Sequence, residues 1–274
     1  MSRTRNITKM STVIPRLSDG RLTLTSGDPD KNDNDTNKNA IYYCPYMGET
    51  VSLFDGDVWN LYTFSELTLD ISSGYTADTI YDIFIYDNSG TLTLESLAWS
   101  SASARATDLV RQNGALVKDG DRTKKYVGTF RTNSSALTND DTYRRYLWNE
   151  YHKVYKSMLS QKATLPAYTT SAWRPVGNIT TVGETRLAMV MGGRTLLDIF
   201  SNYHAKGMYT GVAIDSTTAQ ETLSGTNGSP TYNINTISAV NKTVEPGYHF
   251  VQQVEYGFAG GQGYNASMTC KFLC

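Results

Sequence analysis

The sequence predicts a mainly β protein, built as two sandwich- or barrel-like, jelly-roll-like modules joined by one α-helix. Three observations carry that expectation. Short alternating runs separated by Asp-Gly and Asn-Gly dipeptides fill residues 41–137. A stripe of apolar residues spaced by four and three interrupts them in residues 138–162, and β patterning returns, richer in glycine, over residues 163–274.

Residues 1–40 stand apart. They hold no aromatic residue, Asp28-Pro29-Asp30-Lys31-Asn32-Asp33-Asn34-Asp35 is polar and turn-forming, and only Arg21-Leu22-Thr23-Leu24-Thr25 alternates like a strand. An extended arm that orders on a partner fits this composition, as does a loose terminus. In the next module, Val51-Ser52-Leu53-Phe54 and Val58-Trp59-Asn60-Leu61-Tyr62-Thr63-Phe64 flank Asp55-Gly56, whose glycine supplies the positive φ of a tight hairpin. Glu66-Leu67-Thr68-Leu69-Asp70-Ile71 alternates as a half-buried strand does. Tyr81-Asp82-Ile83-Phe84-Ile85-Tyr86 and Thr91-Leu92-Thr93-Leu94 form a second hairpin around Asp87-Asn88-Ser89-Gly90, and Asn113-Gly114 and Asp119-Gly120 mark further turns.

Asp140-Asp141 offers negative charge to a helix N-terminus, and Tyr143, Leu147, Tyr151, Val154 and Met158 then fall on one helical face. Two readings stay open for this stripe: packing on its own β-module, or a seam between copies in a trimer. Beyond it, Leu187-Ala188-Met189-Val190-Met191, Gly211-Val212-Ala213-Ile214 and Phe250-Val251-Gln252-Gln253-Val254-Glu255-Tyr256 read as strands between glycine-rich loops.

Composition narrows the function. With 25 basic and 26 acidic residues the formal net charge is −1, so the cationic surplus a nucleic-acid binder uses to displace counterions is missing. No apolar stretch follows Met1-Ser2-Arg3-Thr4-Arg5-Asn6, and no run reaches the ~18 apolar residues of a membrane span, so a cytoplasmically made chain with no membrane insertion is expected. Three cysteines, Cys44, Cys270 and Cys274, argue against a disulfide framework and lack the spacing of a zinc site. Asp28-x-Asp30-x-Asn32 opens like a calcium loop but has Asp33 where glycine is required, so neither metal nor cofactor is expected. No Gly-x-Ser-x-Gly elbow accompanies the three histidines, and a non-enzymatic role is expected. Aromatic content points elsewhere: rings on loops make sugar-stacking and protein-contact surfaces. Trp173, Tyr203, His204, Tyr232 and Tyr264 are the candidates for receptor contact, against the plainer reading that tyrosine pairs across strands.

Several stretches together resemble a family of bacteriophage virion proteins of tail-fibre or head-fibre type. They include Gly20-Arg21-Leu22-Thr23-Leu24-Thr25-Ser26-Gly27, Ile41-Tyr42-Tyr43-Cys44-Pro45-Tyr46, Lys125-Tyr126-Val127-Gly128-Thr129-Phe130 and Tyr146-Leu147-Trp148-Asn149-Glu150-Tyr151. The likeness runs through residues 20–158 and is looser beyond, and Cys44 stands where the family's Tyr-Tyr-x-Pro-Tyr segment leads one to expect threonine. The resemblance implies a homotrimeric or otherwise symmetric fibre in the virion, attached to tail or capsid proteins by its N-terminus, with a distal β-module facing host polysaccharide or another outer-surface receptor. It brings no catalytic residues. A capsid-decorating protein without a receptor role and a tailspike-type polysaccharide depolymerase are the alternatives.

Overall fold

A computed structural model describes residues 14–31, 34–225 and 233–274. The chain opens with β1 (Gly20–Thr23), β2 (Asp35–Lys38), β3 (Ala40–Pro45), β4 (Thr50–Phe54), β5 (Trp59–Thr63) and β6 (Leu67–Asp70). It continues through β7 (Ile80–Asn88), β8 (Thr91–Ala98), β9 (Leu109–Gln112), β10 (Ala115–Lys118) and β11 (Asp121–Arg131). Short strands β12 (Thr138–Asp140), β13 (Arg144–Arg145) and β14 (Leu147–Asn149) lead to β15 (Tyr155–Lys162), β16 (Trp173–Pro175) and a 3-10 turn at Val176–Asn178. The remainder is β17 (Arg186–Met191), β18 (Thr195–Ile214), β19 (Ser224–Gly225), β20 (Ile234–Val244) and β21 (Gly247–Leu273).

The N-terminal body is a sandwich. The sheet β1-β3-β6 faces the sheet β8-β7-β11-β10-β9, to which β14 adds beside β11. Leu22, Ile41, Tyr43 and Leu69 from one layer meet Ile83, Ile85, Val127 and Phe130 from the other. The turn residues do what their chemistry allows: Ser89 and Gly90, and Asn113 and Gly114, take positive φ in two-residue loops, and Asp55 caps its turn by accepting the amides of Asp57 and Val58 at 2.9 Å. Lys125 is fully buried here, and its ammonium donates to the carbonyls of Pro15, Leu17 and Ser52 while lying 5.0 Å from the Tyr151 ring.

Two expectations are corrected. Residues 20–24 are core, not arm: Leu22 and Leu24 are buried, and the Asn149 side chain bonds both the amide and the carbonyl of Leu22, at 2.7 and 3.2 Å. The expected arm's first 13 residues lie outside the described residues. The joining helix is also absent; among the described residues there is no α-helix. Asp141 spends its carboxylate on a tight turn, accepting the amides of Tyr143 and Arg144 at 2.8 and 2.7 Å, and His152 takes φ 53°, which breaks any helix there. Asp140 instead forms a buried ion cluster with Arg145 and Lys156. The proposed stripe is therefore dispersed: Leu147 enters the N-terminal core, Met158 the C-terminal one, Tyr143 is exposed, and Tyr151 and Val154 are half-buried in the turn between β14 and β15.

The C-terminal body is one sheet folded over on itself, with β18 between β20 and β21 and with β15, β16 and β17 along β21. Gln253 proves the fold-over. Its amide donates to Ser201 Oγ at 2.8 Å and to the carbonyl of Ser267 at 2.9 Å, yet fourteen residues of straight strand would separate Gln253 from Ser267 by about 45 Å. The corner falls where Lys206 pairs with Gln262 and Met208 with Gly257, so that Gly207 alone opposes residues 258–261. Gly207 at φ 59° and Gly260 at φ 79° supply the left-handed backbone this bulge needs. Leu197, Ile199, Met268 and Phe272 then pack against Leu187, Met189, Val212 and Val251 across the fold.

The bodies lock together on the second face of β7, β11 and β14, which is why Tyr81-Asp82-Ile83-Phe84-Ile85 is buried without alternation. Buried Asp82 accepts Arg105 Nε and Thr129 Oγ1, both at 2.7 Å, and Arg105 Nη2 reaches the carbonyl of Gly192 at 2.7 Å. A Cβ on Gly192 would lie 2.2 Å from the Tyr126 hydroxyl and 2.3 Å from the Trp148 ring, so only glycine permits this approach.

Candidate binding surface

Just before the corner, three neighbouring strands bring aromatic residues into one row. Trp173 on β16 pairs with Tyr256 on β21, and Tyr256 pairs with Tyr209 on β18. Side chains directly opposite on antiparallel strands share a face, so register alone aligns the rings. Their centroids lie 5.6 Å apart for Trp173–Tyr256 and 6.2 Å for Tyr209–Tyr256, and Phe258 joins at 5.3 Å from Tyr256 and 4.9 Å from Tyr209. All four are half-buried, with ring surface left to solvent. Gly225, opposite Tyr209 on β19, keeps the row open: a Cβ there would stand 2.2 Å from Tyr209 Cδ1.

The opposite face of the same residues is a buried polar anchor. Glu255, with no exposed surface, accepts Tyr203 Oη at 2.6 Å, Arg174 Nε at 2.7 Å and the Gly177 amide at 3.0 Å. Arg174 in turn stacks on the Tyr168 ring at 3.5 Å. Burial pushes the Glu255 carboxyl up, against the pull of Tyr203 and Arg174, and burial together with Glu255 pushes Tyr203 well above the usual phenol range. This carboxylate sits beneath the sheet, so a ligand lying on the row meets rings and phenol hydroxyls. Such a surface stacks on the C–H faces of sugar rings or on apolar protein groups.

Of the receptor-contact candidates, Trp173 is in the row. Tyr203 is a correction: it is 1% exposed, because its hydroxyl is drawn inward to Glu255. His204 and Tyr264 stack on each other at 4.9 Å in the other layer, where Tyr264 Oη donates to Asn233 at 3.1 Å. Tyr232 lies outside the described residues. Tyr209, Tyr256 and Phe258 were missed as a group, although the i, i+2 spacing of Tyr256 and Phe258 places them on one face of a strand. Among the described residues no cluster of three or more His, Cys, Asp or Glu is placed to hold a metal, and no helix is long and apolar enough to cross a membrane.

No family model and no curated protein matches the chain. Among solved structures, the insecticidal delta-endotoxin Cry8Ea1 from Bacillus thuringiensis aligns over 93% of this chain and 51% of its own at 7% identity and TM-score 0.26. A β-porphyranase of glycoside hydrolase family 86 from Bacteroides plebeius aligns over 89% of this chain and 37% of its own at 9% identity and TM-score 0.22. The chain thus spans about half of the toxin and just over a third of the hydrolase. Likenesses this slight bear on neither fold nor function.

Proposed function

We propose that the chain is a structural subunit of a bacteriophage virion, a tail or surface fibre that assembles symmetrically and attaches to host-surface polysaccharide through the row Trp173–Tyr256–Tyr209. The single observation that carries the attachment is this row: rings in register across three strands, half-exposed, and kept open by a glycine on the fourth. Rigid amphipathic rings gain contact area at small entropic cost, and a row of them suits a repeating chain of sugars better than a single small molecule. The resemblance of residues 20–158 to phage fibre proteins supports the location, since those stretches form the N-terminal sandwich and its junction with the second body.

The test is binding of the purified protein to polysaccharide extracted from the host surface, followed by calorimetry, with gold labelling of intact particles to locate the protein. Replacing Tyr256 or Tyr209 by alanine is expected to weaken binding about 5- to 150-fold, at about 1–3 kcal/mol per lost stacking anchor. Binding unchanged in both variants, or particles that carry no label, would overturn the reading.

A further inference from the structure

A second surface lies at the far end of the C-terminal body. The start of β18 and of β15, the end of β21 and the middle of β20 enclose a cavity of about 460 Å³. This is within the range for a small ligand, about 300–1,000 Å³. Tyr155, Leu196 and Leu273, at 65%, 54% and 40% exposure, line it, so it gathers large apolar side chains that the fold has left uncovered. Lys153, Arg194 and Lys271 line it too, with Asp198 as the one carboxylate in the wall. The glutamates that pair with Lys153 and Arg194, Glu150 and Glu245, are not part of the lining. Lys271 has no carboxylate within 4 Å among the described residues, and its ammonium rests 4.8 Å from the Tyr155 ring.

One further observation gives the cavity polar character. Asp198 is held by Asn241 Nδ2 at 3.0 Å, which orients an acceptor and leaves the amide oxygen of Asn241 beside it.

We infer that this cavity binds a carboxylate-bearing sugar unit, free or as a residue of an acidic polysaccharide. The carboxylate meets Lys271 and Arg194, the ring lies against Tyr155, Leu196 and Leu273, and hydroxyls reach Asp198 and Asn241. The size favours one sugar residue, and Lys271, which stands opposite Asp198 but has no carboxylate within 4 Å among the described residues, favours an acidic one. The site shares no residue with the aromatic row and does not depend on the virion reading.

Glucuronate, glucose and sulfate, titrated separately into the full chain and followed by calorimetry, form the test, with polyglucuronate as the polymeric arm. Glucuronate is expected to bind at least tenfold more tightly than either glucose or sulfate. Lys271→Met is expected to lower that affinity about tenfold or more, and Arg122→Met, an equal loss of charge on the exposed surface of the N-terminal sandwich, to leave it unchanged. Lys271 is a surface side chain, so its loss spares the fold; Arg194→Gln provides a second variant. Preference of polyglucuronate over the monomer would assign the polymer as the source, and the reverse would assign the free sugar. Glucuronate binding no better than glucose, sulfate binding equally well, or both variants retaining full affinity would each overturn the inference.

Discussion

In the N-terminal sandwich the longest strand, β11, runs 11 residues and each reversal takes place in a loop outside the ladder. In the C-terminal body β18 and β21 run 20 and 27 residues and turn their corner without leaving the ladder. The first region makes two layers from many short strands, the second from one sheet bent over a glycine bulge. The difference matters for function as well as for form. Both regions leave rings half-uncovered, Phe54, Trp59, Tyr62 and Tyr86 in the sandwich and Trp173, Tyr209, Tyr256 and Phe258 beside the bend. Beside the bend, the register of three neighbouring strands sets Trp173, Tyr256 and Tyr209 in one row.

The strongest way to break this contrast is to cut the tie between the regions. Trp148→Ala removes a fully buried ring of the junction and is expected to destabilise the chain by about 3–5 kcal/mol, with both bodies unfolding in a single denaturant transition. Two separated transitions, by tryptophan fluorescence and far-ultraviolet dichroism, would show that the bodies are independent. Next comes Lys125→Met, which removes one donor from the carbonyls of Pro15, Leu17 and Ser52, the first two keeping Ser52 as a second donor, and is expected to cost about 1–3 kcal/mol.

That variant also has a pH signature. Burial pushes the Lys125 ammonium down to about 7, whereas in the unfolded chain it holds its proton to about 10.4. Between those values the unfolded state binds more protons, so stability rises with pH; below about 7 both states are protonated and the burial penalty is constant. The native protein should gain stability from pH 7 to 8 in urea titrations, and Lys125→Met should not. Above about pH 8.5 the slope reverses, because burial pushes the thiols of Cys44, Cys270 and Cys274 up to about 12 and all three ionise first in the unfolded chain.

A smaller effect sharpens the contrast from the other side. Gly207→Ala forces a left-handed φ on a residue with a Cβ and is expected to cost about 1–2 kcal/mol, seen as a lowered melting temperature. The smallest effect is on Tyr256→Ala, whose half-exposed ring is expected to contribute about 1 kcal/mol to stability.

The same contrast explains what could be read in the sequence. Turns outside a ladder advertise themselves, so Asp55-Gly56 and Ser89-Gly90 marked the hairpins β4–β5 and β7–β8, and Asn113-Gly114 marked the turn between β9 and β10. A corner inside a ladder has no such mark: Gly207 and Gly260 look like any loop glycine until their partners across the strand are known. The helical stripe misled because spacings of three and four also arise when short strands are strung between turns, and local carboxylates such as those of Asp140 and Asp141 serve a turn and an ion cluster as well as a helix end. Of the candidate surface, Trp173 was legible as an aromatic in a β-module. The row was not, since it exists only through the pairing of residues 173, 209 and 256.

The last strand has a mechanical consequence. Residues 266–271 of β21 lie between β15 on one side and β18 on the other, residues 272–273 continue along β15, and the Cys274 backbone closes two hydrogen bonds with Val154. Tension on Cys274 along the strand therefore loads both ladders in shear, so their bonds resist as a group instead of opening one by one, and release is governed by a high unfolding barrier.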